Sequence, residues 1–342
     1  AGYHTALSGK MHFVGPDQLH GFEQRLTTDI YPADFGWTPD YRKPGERIDW
    51  WYHNLASVTG AGIAEISNQL EFDELQLVAD LGDAELYRLA RLRGEQPWCL
   101  TVSFTHPHDP YVARQRFWDL YEDCPALQPE VAAIPYEEQD PHSRRLLESV
   151  DFRRFEITGD DVRRSRRAYF ANISYLDEKI GRLLDVLESC EMAEDTVVIF
   201  LADHGDMLGE RGLWFKMSFF EGSARIPLMM AGPGLGEGRI DTPASALDIL
   251  PTLCELAGIA PDPAAATLDG ESLLPIAGGS PRRRPVMMEY AAEGSCAPLV
   301  SLRDERFKFN HCEIDPPQLF DLTADPQERR NLAADPDHAE RL

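Results

Sequence analysis

The chain alternates between segments with a helical hydrophobic period and short apolar runs without one. Residues 67–93 carry apolar positions near helical spacing in FDELQLVADLGDAELYRLARL, which predicts a helix. Thr158 with Asp161 makes a capping-box-like start for a second, long helix reaching about Ser189, and a third is predicted over about 245–257. Between them lie WCLTVSFT (98–105), TVVIFLA (196–202) and IPLMMA (226–231), continuous apolar runs of strand length, the pattern of strands buried on both faces. PVMMEY, LVSLR and FKFN, beyond a linker near 275–285 (PIAGGSPRRRP), read as short strands of a small, mostly antiparallel unit. Residues 1–60 are rich in aromatics, Gly and Pro and read as strand and long loops, and residues 122–157 as a surface excursion.

Helices alternating with buried strands imply an α/β fold with a sheet covered on both faces. The expected division is an α/β domain over 1–278 and a small C-terminal α+β subdomain over 279–342. No internal repeat or low-complexity segment is present. The opening AGYHTALSGK reads like the middle of a unit, and Asp335-Pro336 like the start of a helix that has barely begun at Leu342. Both ends are expected to be cut.

Charge narrows the choice of partner. The formal net charge of −25 repels phosphate backbones, which argues against nucleic acid and leaves a solubility role or a cationic substrate or metal as readings. No apolar run approaches the ~20 residues of a membrane span, so no membrane partner is expected. The six cysteines make no CxxC signature, and several sit in apolar runs as small hydrophobes, which suits a reducing compartment; a cytoplasmic location is expected from this together with the family resemblance given below.

In open α/β sheets functional groups gather at the carboxyl ends of strands, and three predicted strand exits are unusually polar: Gly9-Lys10-Met11-His12, His106-Pro107-His108-Asp109-Pro110, and Asp203-His204-Gly205-Asp206 with Lys216 close behind. Asp203 and His204 can aim an oxygen and an imidazole nitrogen at one cation. The competing reading is an Asp that caps the following turn. An imidazole ligand favours manganese or another transition ion, whereas calcium prefers an all-oxygen shell. Lys10 and Lys216 suit a tetrahedral oxyanion as point charges, and His12 and His108 can donate to one or move a proton near neutral pH. Each alone reads as a surface lysine or a satisfied histidine; four at strand exits of an acidic protein read as an anion pocket beside a metal. The aromatic segment 35–54, with Trp37, Trp50, Trp51, Tyr52 and Asn54, offers faces to a quaternary ammonium group, or serves as a hydrophobic plug or subunit contact.

GKMH, the PHDP segment, LADHGDMLGERGLWFK and LFDLTADPQERRNLA together resemble the sulfatases of the alkaline-phosphatase-like superfamily. GKMHFVGPDQLHGFE, DIYPADFGWTPDY, ERIDWWYHN and RRAYFANISYLDEKIG resemble the choline-sulfatase branch, and the likeness runs through nearly the whole chain. DHG alone is a weak signal; the order of the blocks is specific. The resemblance implies an alkaline-phosphatase-like mixed sheet flanked by helices, and hydrolysis of a sulfate monoester with a cationic head, choline O-sulfate, to choline and sulfate. Under it Lys10 and His12 hold the nucleophile's hydroxyl and help the covalent intermediate collapse. His108 and Lys216 grip the sulfate and assist the leaving group, Asp203 and His204 are two ligands of a divalent metal (calcium or manganese), and Trp37 and Asn54 receive the cationic head. It also implies a homo-oligomer for the full-length protein.

One departure cuts against activity. The family nucleophile is a cysteine oxidised to formylglycine within C-x-P-S-R, and no cysteine here begins that pattern: Cys124-Pro125-Ala126 and Cys296-Ala297-Pro298 fail at the next positions. The formylglycine and the remaining metal ligands are expected in an N-terminal part that the chain lacks, so the chain alone is expected to be inactive. The open alternatives are a phosphonate or phosphate ester hydrolase of the same superfamily, and a non-catalytic binding fragment.

Overall fold

The computed structural model describes residues 2–29, 55–64, 69–259 and 268–341. It divides into two compact units, one of residues 1–38, 48–129 and 147–197, the other of 39–47, 130–146 and 198–342.

The first unit is built on parallel pairing. Strand β1 (His4–Gly9) lies between β2 (Gln24–Arg25) and β4 (Trp98–Ser103), parallel to both, with Gly9 opposite Ser103. Short strands β3 (Gly62–Ile63) and β5 (Val112–Ala113) form a second parallel pair, with α1 (Ala56–Thr59) just before β3. Helix α2 (Gln69–Arg91) lies against β1, β4 and the long helix α5 (Gly159–Ser189). Its buried Leu75, Val78, Ala79, Leu86 and Leu89 recur at three-, four- and seven-residue steps, the stripe that its sequence predicts. Helix α3 (Gln115–Trp118) also packs on α5 (Gly159–Ser189).

Helix α5 begins at the expected cap: the Thr158 hydroxyl accepts from the Asp161 N–H at 3.2 Å, and the Asp161 carboxylate accepts from the Thr158 N–H at 2.8 Å. Ala168, Ala171, Asn172, Tyr175 and Lys179 share its buried face. Asn172 donates to the Val112 carbonyl at 2.9 Å, tying the helix to β5. The chain crosses from one unit to the other within α4 (Pro141–Ser149).

In the second unit β6 (Val198–Leu201) pairs antiparallel with β7 (Leu228–Ala231), and helix α6 (Glu221–Ala224) lies between them in sequence. A short 3₁₀ turn at Ala246–Asp248 runs into α7 (Ile249–Leu256), and α8 (Leu273–Ala277) follows. Strands β8 (Val286–Tyr290), β9 (Leu299–Arg303), β10 (Phe307–Cys312) and β11 (Gln318–Asp321) form an antiparallel sheet in consecutive order. The sequence pattern predicts the first three and misses β11, whose four residues are too few to show alternation. The fold is thus mixed α/β with an antiparallel C-terminal sheet.

The strands differ from expectation in burial. No residue of β4 is fully buried, Met229 of β7 is 59% exposed and Leu201 of β6 is 36% exposed. Among the described residues β6 and β7 pair only with each other, so both remain edges with an accessible side.

Candidate functional site

In the first unit the parallel register of β1 and β4 delivers two polar segments at one sheet end. Gly9 and Ser103 are opposite one another, and the Lys10 N–H donates to the Ser103 carbonyl at 3.0 Å. Lys10 thus leaves β1 beside the segment that carries His106 and His108 out of β4. The approach demands glycine: Gly9 has φ +109°, and a Cβ there would fall 1.8 Å from the Ser103 oxygen.

A half-buried network fixes the turn after β1. One Asp29 carboxylate oxygen accepts from the N–H groups of Met11 (3.2 Å) and His12 (3.1 Å) and from Arg25 Nη2 (2.9 Å). Arg25 also donates to the carbonyls of Gly9, Gln18 and Thr27, and the Thr27 hydroxyl accepts from the Gly9 N–H at 2.7 Å. These bonds hold His12 in the left-handed region at φ 57°, a conformation that a non-glycine residue keeps only when its surroundings impose it. Lys10 is buried and His12 half-buried.

His108 is half-buried, with Nδ1 2.9 Å from its neighbour's carbonyl and 3.1 Å from an Asp109 carboxylate oxygen. A carbonyl only accepts, so Nδ1 carries the hydrogen and Nε2 the lone pair of the neutral ring. His106 is buried against the edge of the Tyr175 ring, and burial, helped by Arg114, lowers its pKa to about 4. It is a neutral structural histidine.

In the second unit Asp203 and His204 follow β6 directly. His204 Nδ1 lies 2.7 Å from the Gly205 carbonyl, so that nitrogen donates and Nε2 is the unprotonated one, 3.6 Å from Asp203 Oδ2. Adjacent ligands on a calcium ion, each at about 2.3–2.6 Å, stand roughly 3.3–3.7 Å apart. The pair therefore fits a shared cation, and a ring N–H given to a carbonyl is the usual support of a ligating histidine. Asp203 Oδ1 accepts from the His204 N–H at 3.0 Å, a local turn contact that leaves Oδ2 to face the ring. Among the described residues no third His, Cys, Asp or Glu joins the pair.

Lys216 is half-buried within an otherwise buried run, Leu213 to Phe220. Gly205 N–H donates to the Ser223 carbonyl at 2.7 Å, where a Cβ at Gly205 would strike the Gly222 oxygen at 2.2 Å. Met207 N–H donates to the Phe215 carbonyl at 2.6 Å. His142 Nε2 donates to the Met217 carbonyl at 2.7 Å, and Lys308 Nζ to the Phe219 carbonyl at 2.5 Å. Phe215 and Met217, either side of Lys216, both have positive φ. The lysine is held by its backbone.

Of the residues picked out by sequence, Lys10, His12 and His108 thus share one sheet end of the first unit, and Asp203, His204 and Lys216 lie on the 203–225 segment of the second. Trp37, Trp50, Trp51, Tyr52 and Asn54 lie outside the described residues. Sequence reasoning missed Arg25, Asp29, His142 and Lys308, whose roles rest on long-range contacts with no local signature.

The sulfatase family profile matches residues 1–259, and that of the N-sulphoglucosamine sulphohydrolase C-terminal region matches residues 209–341. The chain is 66% identical over 339 residues to the choline-sulfatase of Rhizobium meliloti (strain 1021), a match covering 98% of this chain and 66% of the relative. It is 30% identical over 343 residues to the multifunctional alkaline phosphatase superfamily protein PehA of Trinickia caryophylli, covering 89% and 65% respectively. The chain therefore spans just under two thirds of the length of these relatives. Among solved structures, the phosphonate monoester hydrolase of Silicibacter pomeroyi aligns with a TM-score of 0.73 at 23% identity, covering 100% of this chain and 75% of that one. A chain solved with its substrate D-glucosamine-2-N,6-O-disulfate aligns at 0.67 and 20% identity, covering 99% and 77%. Both place the fold.

Proposed function

We propose, since this chain belongs to the sulfatase family, that it forms the greater part of a sulfuric ester hydrolase whose substrate is choline O-sulfate. The observation that carries the reading is the 66% identity with a choline-sulfatase across 339 residues, a match that covers 98% of this chain.

Each residue takes a role that its surroundings support. Lys216 supplies positive charge to the sulfuryl oxygens and Lys10 to the nucleophile's hydroxyl, and the backbone bonds about both fix the segments that carry them. His108, with its hydrogen on Nδ1, presents Nε2 to hold or move a proton at the ester oxygen. His12, set by Asp29, orients the attacking hydroxyl. Asp203 and His204 would hold a divalent metal, which when bound acts as a Lewis acid toward the nucleophile and the sulfuryl group. No cysteine of the chain carries the formylglycine signature, so the nucleophile is not among the residues assigned here. Trp37 and Asn54 are assigned to the cationic head; a ring face attracts a quaternary ammonium by about 2 kcal/mol or more once desolvated.

Purified full-length protein, assayed for sulfate release from choline O-sulfate and for hydrolysis of an aryl phosphate ester, tests the reading. Faster turnover of the choline ester, reduced about 10²–10³-fold or more by Lys216→Ala, is the expected result. A Trp37→Ala loss confined to the choline ester supports the head-group assignment. Preference for the phosphate ester, with Trp37→Ala without effect, would replace it by a phosphate or phosphonate ester hydrolase.

A further inference from the structure

The run Arg282-Arg283-Arg284, which the proposed chemistry leaves unused, lines a cleft of about 400 Å³ in the second unit. Arg303 at the end of β9, Arg306 in the β9–β10 turn and Arg341 line the same cleft. Six arginines thus line one cleft on a chain of net charge −25.

Ordinary ion pairing accounts for part of this charge. Arg282 is held by both oxygens of buried Asp248, at 2.6 and 3.0 Å. Arg306 pairs with Asp321 at 2.5 Å, Arg303 reaches Glu221 at 3.3 Å, and Arg284 lies 3.9 Å from Glu271. Glu221 is shared with Lys308 at 2.9 Å, so it only partly neutralises Arg303. Arg283 donates its backbone N–H to Glu271 at 3.2 Å, but among the described residues no carboxylate pairs with the guanidinium of Arg283 or of Arg341, and both residues are exposed. Two carboxylates, Asp304 and the exposed Glu305, also line the cleft; Asp304 spends one oxygen on the N–H groups of Arg306 and Phe307.

The guanidinium groups are also crowded. Those of Arg306 and Arg341 stand 4.8 and 4.2 Å from the centre of one ring, Phe307. Like charges held near one ring repel, an anion among them relieves that repulsion, and guanidinium forks match phosphate and sulfate oxygens in pairs. The overall negative charge does not cancel this local field, because exposed charges beyond roughly 8 Å are largely screened at physiological ionic strength.

We propose that this cleft is a second anion site, separate in its residues from those assigned to the ester, and that it takes a small molecule bearing two or more phosphate or sulfate charges. Its size favours such a ligand over a single inorganic ion, since it falls within the ~300–1,000 Å³ range of small-molecule sites.

Titration calorimetry of full-length protein with pyrophosphate in 0.15 M sodium chloride tests this. Saturable binding below about 1 mM, weakened at least ~10-fold in Arg283→Ala/Arg341→Ala and unchanged in Lys216→Ala, is the expected outcome. Arg283→Ala alone, at an exposed position, should weaken binding in the same direction and guards against a folding defect in the double variant. Absence of saturation up to about 10 mM overturns the proposal. So does binding lost in Lys216→Ala but intact in the arginine variants, which would place the anion at the lysine and leave the ester-hydrolase reading standing.

Discussion

His142 donates a 2.7 Å hydrogen bond to the carbonyl of Met217, a residue 75 positions further along the chain. The bond fixes the peptide beside Lys216 and is made by a ring that burial keeps neutral, its pKa pushed below the usual histidine value. His142→Phe leaves that carbonyl without its donor at a cost of about 1–3 kcal/mol. If Lys216 acts on the sulfate ester, kcat falls with it, and His142→Gln, which retains a donor, recovers part of both. Urea denaturation and ester turnover on the same variants make the comparison.

Acidification should destabilise the fold through His106. Its ring is neutral in the folded protein, with a pKa near 4 against 6.5 when unfolded, so below pH 6.5 the unfolded chain binds the extra proton. The stability is fully present above about pH 6.5 and is lost as pH falls toward 4, by about 3 kcal/mol in all. His142 acts in the same direction. His106→Phe keeps an aromatic edge for Tyr175 and should flatten the stability profile between pH 6.5 and 4. An unchanged slope in that variant would assign the acid sensitivity elsewhere.

Asp29 gathers three donors on one carboxylate oxygen, and Asp29→Ala should cost about 3 kcal/mol, since charged hydrogen bonds are worth more than neutral ones and Arg25 is left buried without its partner. Asp29→Asn keeps one acceptor and should lose less. Thermal denaturation reads the stability. A drop in ester turnover larger than the change in melting temperature alone accounts for would report displacement of His12.

Lys308 is completely buried and pairs with Glu328 at 2.5 Å and Glu221 at 2.9 Å, while burial pushes the Glu328 carboxyl above its ordinary pKa. Lys308→Met leaves that carboxylate buried and uncompensated, at about 3–5 kcal/mol. Lys308→Met/Glu328→Leu should recover most of the loss, because replacing both members of a buried pair is far milder than removing one. A double variant as unstable as the sum of the singles would mean that the pair is not coupled.

How much of this was legible beforehand depended on distance along the chain. The cap of Thr158 on Asp161, the stripe of α2 and the strands β8 to β10 follow from spacings within one element, and the structure bears them out. The polar strand exits at Lys10, His108 and Asp203 were visible as residues. Their setting was not, because Asp29 meets His12, and His142 meets Met217, only after the chain has folded back. Local pattern also overstated the burial of β6 and β7: a run of apolar residues says that a strand is sticky, not that a neighbour covers it.

Position 9 shows what such a setting demands of a sequence. The obstacle at the β1–β4 crossing is the first carbon of any side chain, so size, charge and polarity of a replacement hardly enter. A saturation library at this codon should give a flat profile, alanine faring about as badly as tryptophan. Positions tuned by chemistry, such as Lys216, should instead return a graded one.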